Sequence, residues 1–95
     1  MIFNFLKPKI KKGDVYAVQA GDFVGQFFNF IKKDGDEYVF LSTPSMEIRR
    51  VPKEKFDFAQ EQGIIEYIET LPRNIFQVIK AEYQHQSKKI GGSSK

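Results

Sequence analysis

Cysteine is absent from this chain of 95 residues. Its absence excludes a disulfide framework and a thiolate metal site, and it fits a reducing compartment. Histidine occurs once, as His85. A general base needs a nucleophile and an orienting group beside it. His85 instead lies between Gln84 and Gln86, off the apolar stripe of the last periodic segment. An exposed residue near a helix end, where a cation suits the dipole, accounts for it. We therefore assign no catalytic residue and expect no enzyme. The pair Gly21…Gly25 lacks the Lys-Ser/Thr and the helix that would make a phosphate loop. The acidic turn of Asp34, Asp36 and Glu37 is too short for a calcium loop. No metal and no cofactor are expected.

Long apolar runs are also missing. None approaches the ~20 residues that a membrane span needs. The start, MIFNFLKPKIKK, puts its apolar patch before its lysines, the reverse of a secretory signal. The expectation is a soluble, cytoplasmic protein without a membrane span.

The net charge is +3, but it is unevenly placed. Lys7, Lys9, Lys11 and Lys12 stand at the start, and Lys88, Lys89 and Lys95 at the end. Between Gly13 and Ser87 lie eight basic residues and all 12 acidic ones, a net of −4. A whole-body nucleic-acid binder has the opposite balance.

What the chain does have is 10 Phe and 4 Tyr, enough for one modest core in one domain. Residues 1–12 form a basic arm; Pro8 blocks a regular helix there. Its Ile2, Phe3, Phe5 and Leu6 would make a sticky patch unless docked. Residues 13–87 are the domain. Residues 88–95 are expected to be a disordered tail, since GGSSK has linker composition.

Within the domain, Val15–Ala20 reads as a strand, followed by the turn Ala20-Gly21-Asp22. Phe23–Lys32 is a second strand, apolar on both faces, and such strands are covered on both. Its one face carries Phe23, Phe27 and Ile31, its other Val24, Phe28 and Phe30. Lys33-Asp34-Gly35-Asp36 is a hairpin turn, because Asp-Gly tolerates positive φ. Glu37–Ser42 returns, Thr43-Pro44-Ser45 turns, and Met46–Val51 is the fourth strand. Pro52 and Gly63 bracket one or two helical turns. Ile64–Thr70 fits two readings. Ile64, Ile65, Ile68 and Leu71 have helical spacing, whereas Gly63 and the β-branched content favour a strand. A strand is the expectation. On that strand Glu66 and Glu69, an odd distance apart, point to opposite faces. Pro72–Gln86 is a helix with Ile75, Phe76, Ile79 and Tyr83 on one side, expected to cover the second strand.

Four meandering strands, a helical turn and a fifth strand follow the order of an SH3-like barrel. The fold class is therefore α+β, a small antiparallel SH3-like barrel or meander of four to five strands with a C-terminal amphipathic helix. Within it, Gly13-Asp14, Val15, Val18, Gly21 and Gly25 resemble the KOW motif of transcription and ribosomal proteins. That motif opens on Gly-Asp, alternates apolar residues and turns on glycines before a long strand. The resemblance covers Lys12–Ile31 and implies DNA or RNA binding. Two departures turn this loop away from nucleic acid. Phe27 and Phe28 stand where a further glycine is usual, and no Lys or Arg lies between Gly13 and Ile31. In length, lack of cysteine and richness in Phe and Lys, the chain is also similar in style to small accessory proteins of tailed bacteriophages. That likeness implies a small regulatory protein acting on a host or viral partner.

The sharpest polar feature is Arg49-Arg50. On a strand the two face opposite ways. One is expected to be exposed, and the other paired with Glu47 or Glu54 because an unpaired buried cation is costly. Joined with Lys9, Lys11, Lys12, Lys32 and Lys33, either arginine would make a basic patch. Phe28 and Phe30 would add an apolar surface if left uncovered. The expected function is a non-enzymatic binding module for another protein. DNA or RNA binding through the lysine-rich arm and Arg49/Arg50 is the alternative.

Overall fold

Alternating Val, Tyr and Phe, punctuated by Gly and Pro, build five strands and two helices. The structure is a computed structural model that describes the backbone of residues 9–93 and the side chains of residues 9–88. The expectations for the arm before residue 9, and for residues 94–95 of the tail, lie outside the described residues. The elements are β1 (Asp14–Val18), β2 (Phe27–Asp34), β3 (Glu37–Thr43), β4 (Glu47–Pro52), α1 (Lys53–Glu61), β5 (Ile65–Thr70) and α2 (Arg73–Ser93). The strands form one sheet in the order β4-β3-β2-β1-β5, with every neighbouring pair antiparallel. The α+β class and the meander are as expected, and the strand expected over Ile64–Thr70 forms over Ile65–Thr70. The sheet is open, with β4 and β5 as its edges.

The β2–β3 connection shows how locally the register is set. Only Gly35 and Asp36 separate the strands, and Gly35 has φ +65°. A two-residue hairpin loop needs such a residue. The pairing Asp34↔Glu37 follows from it, and so does Lys33 opposite Tyr38. The register then slips at Ile31: Lys32 stands opposite Val39, but Phe30 stands opposite Phe40 with Ile31 unpaired between them. One extra residue in a strand is a β-bulge. It sends both Ile31 and Lys32 to the same side, where the Lys32 ammonium lies 5.8 Å from the Tyr83 ring centroid.

Each face of the sheet carries its own core. The inner face is aromatic: Tyr16, Phe28, Phe30, Tyr38 and Phe40 pack with Phe56 of α1. Phe40 is 0% exposed, and the Phe56 ring stacks on it at 5.4 Å. The outer face packs Ile31, Val39 and Leu41 against Phe76 and Tyr83 of α2. The expected helical stripe is therefore rotated slightly: Phe76 and Tyr83 are buried, while Ile75 remains exposed. The helix also runs on to Ser93, past the expected Gln86.

Two further sequence expectations change, both in the strands. β2 begins at Phe27, because Gly21 and Gly25 fold Phe23 and Val24 into the preceding loop. The faces of β2 are accordingly Phe28 and Phe30 inside, Phe27 and Ile31 outside. Glu66 and Glu69 share one face, because they stand opposite Ala17 and Val15 and a bulge lies between them. Odd spacing fails as a guide wherever a strand carries an extra residue.

Asp14 ties β1 to its neighbours. Its carboxyl accepts a hydrogen bond from the Thr70 hydroxyl at 2.6 Å and from the Lys11 amide at 2.8 Å. Burial, and then the Asp14 charge, push the phenol of Tyr16 well above its ordinary pKa. Among the described residues no helix is long and apolar enough to cross a membrane.

Candidate functional site

Two cavities flank α1 on the inner face, and Phe56 borders both. The first has a volume of about 530 Å³, within the roughly 300–1,000 Å³ typical of ligand sites. Its floor is apolar, from Val18, Phe28, Phe56 and Ile65; Arg49 and Lys55 bring the cations. The loop Gln19–Gln26 forms one wall. Turn hydrogen bonds from Val24 to Gly21 and from Gln26 to Phe23 fix it, and the Gly25 amide reaches back to Val18. That loop holds the Phe23 ring 6.2 Å from Phe28. The Arg49 guanidinium lies 4.3 Å from the Phe23 ring centroid, close enough for a cation–π contact.

Arg49 and Arg50 take opposite faces, as strand geometry dictates. Arg50 stands opposite Val39 and donates to Asp34 at 2.9 Å and Glu37 at 3.5 Å. The Asp34 hydrogen bond is the chief reason its pKa rises above the ordinary value. Arg49 stands opposite Phe40, on the aromatic side, and pairs with Glu47. Its Nε is buried and has no hydrogen-bond partner among the described residues. An unsatisfied buried donor costs about 1–3 kcal/mol.

The second cavity, about 820 Å³, gathers Lys9, Lys12 and Lys33 beside Tyr16, Phe30 and Tyr38. Lys53 also borders it but is held by Asp57 at 2.8 Å. The residues singled out from sequence are thus distributed over different places. Lys9, Lys12 and Lys33 come together at the second cavity, with Phe30 in its wall. Arg49 and Phe28 belong to the first. Lys32 is on the outer face over Tyr83. Lys11 is exposed, its amide bound to Asp14. Arg50 borders the first cavity, but its guanidinium is engaged elsewhere. Phe28 and Phe30 are both buried in the aromatic core.

Sequence reasoning missed Phe23 as the partner of Arg49, and Lys55 and Val51 as cleft residues. Nothing local signals the first, since 26 positions separate the pair. Lys55 depends on where α1 lands, and Val51, on β4, borders the same cleft. Among the described residues no three His, Asp or Glu side chains come together as metal ligands. No protein-family model, no curated protein and no solved structure matches the chain.

Proposed function

We propose that the chain is a non-enzymatic binding module and that its partner is another protein, taken in the cleft between the β1–β2 loop, β4 and α1. One observation carries this reading. Arg49 lies over Phe23 beside an apolar cleft, with a buried Nε that no residue described here satisfies. Interfaces favour this combination of arginine and aromatic residues around an apolar centre. The test is capture from the native host on tagged full chain. The bound protein is lost with Arg49→Glu and retained with Lys33→Glu. Loss with Lys33→Glu alone would move the site to the second cavity.

A second reading, nucleic-acid binding, draws on Lys9, Lys12 and Lys33 around one cavity. The aromatics beside them, Tyr16, Phe30 and Tyr38, are buried and present no stacking face to a base. The body between Gly13 and Ser87 is acidic. Oligonucleotide titration across salt separates the readings. Binding that falls steeply as salt rises marks phosphate contacts; protein recognition predicts no binding even at low salt.

A further inference from the structure

We infer that the partner presents an extended, acidic segment that adds as a strand to the free edge of β4; this rests on the protein-binding reading above. The cleft is bordered by Ile48, Arg49, Arg50 and Val51, four successive residues of β4. Side chains alternate between faces along a strand, so four residues in a row border one space at the strand's edge. Across the slot stand Ile64 and Ile65, where β5 begins. The cleft is thus the gap between the two edges of an open sheet.

The register shows what that edge offers. The Lys53 amide donates to the Asp36 carbonyl at 2.8 Å. In the same phase, Val51 stands opposite Tyr38, Arg49 opposite Phe40 and Glu47 opposite Ser42. Hydrogen bonding alternates along an antiparallel pair. Ile48 and Arg50 therefore turn their N–H and C=O groups away from β3. Neither has another backbone partner among the described residues. An unpaired edge with donors and acceptors in this order is a template for another strand.

Charge specifies the incoming segment. Arg49, Arg50 and Lys55 border the cleft against the single lining carboxylate of Asp22; Glu47 pairs with Arg49 and Asp34 with Arg50, which leaves Lys55 as the lining cation without an ion pair among the described residues. A ligand carboxylate at the accessible part of the Arg49 guanidinium gains a charge-assisted hydrogen bond. The floor of Phe28, Phe56 and Ile65 takes an apolar side chain. A strand places residues i and i+2 on one face, so the recognised pattern is an acidic residue two positions from an apolar one.

The test pans a display library of random peptides on the full chain and titrates the strongest binder as a synthetic peptide. Three results are expected. Enriched peptides carry Asp or Glu two positions from a large apolar residue. N-methylation of alternate peptide nitrogens weakens binding about tenfold in one phase and little in the other, because only one set bonds the edge. Amide shifts of labelled protein concentrate at residues 48–51, and Arg49→Met removes the preference for the acidic residue over its amide. Shifts in the cleft with no alternation on N-methylation overturn the strand mode and leave the protein-binding reading standing. No enrichment, or enriched peptides that shift another surface, overturns both. A concentration-dependent oligomer in light scattering that the peptide disperses would show the edge filled by a second copy, and would overturn the inference.

Discussion

Replacing Arg49 with methionine should cost the fold no more than about 1 kcal/mol and can stabilise it, although it removes two visible contacts. The Glu47 pair is exposed, with side chains 28% and 58% accessible, and such pairs contribute about 0.2–1 kcal/mol. The guanidinium over Phe23 adds about 0.5–1 kcal/mol. Against these losses, the buried and unpartnered Nε disappears, which returns about 1–3 kcal/mol. The methionine sulfur near the same ring restores about 0.3–1.5 kcal/mol. The net change runs from a loss of about 1 to a gain of about 4 kcal/mol. Urea unfolding of both proteins measures it, with an unchanged slope confirming the same transition. A loss beyond about 2 kcal/mol would refute the reasoning. It would mean that Arg49 is a structural clasp between β4 and the β1–β2 loop, and that its Nε is satisfied in solution.

Four further outcomes follow from which side chains are buried and which are exposed. Phe40→Ala empties the centre of the aromatic cluster, where Phe40 is 0% exposed, and should cost about 3–5 kcal/mol. Phe58→Ala, at a residue 59% exposed, should stay within about 0.5 kcal/mol by the same unfolding assay. Thr70→Val removes the hydroxyl that donates to the buried Asp14 and should cost about 1–3 kcal/mol, with Thr70→Ser recovering most of it. The raised pKa of Tyr16 means that the fold holds the neutral phenol. Its contribution is fully present below the unfolded value of about 10 and is lost as pH rises beyond it. Titration followed at the Tyr16 ring by NMR should show it ionising only as the chain unfolds; its ionisation in the folded protein would contradict this.

Much of the fold was legible because its signals are local. Asp34-Gly35 fixes one hairpin, Pro52 and Gly63 bracket α1, and the β-branched run after Gly63 forms β5. The Arg49-Arg50 split also followed from strand alternation, and Glu47 was one of the two partners expected, whereas the pairing of Arg50 with Asp34 and Glu37 depends on the β2–β3 hairpin beside it. The bulges at Ile31 and near Ile68 were not legible, since each depends on what stands opposite across the sheet. They moved Lys32 away from Lys33 and brought Glu66 and Glu69 to one face. The cleft was half legible. Arg49 and Phe28 were named from sequence, but Phe23 was placed in a strand. Only the folded loop shows it under the guanidinium.

The central claim is that a protein partner occupies the cleft beside Phe23 and Arg49. Photocrosslinking in the native host tests it most directly. p-Benzoylphenylalanine replaces Phe23, 42% exposed, in one chain and Val78, 65% exposed on α2, in another. The account predicts a protein adduct from position 23 that Arg49→Glu abolishes, and none from position 78. Adducts to nucleic acid, or a protein adduct from position 78 alone, would contradict it.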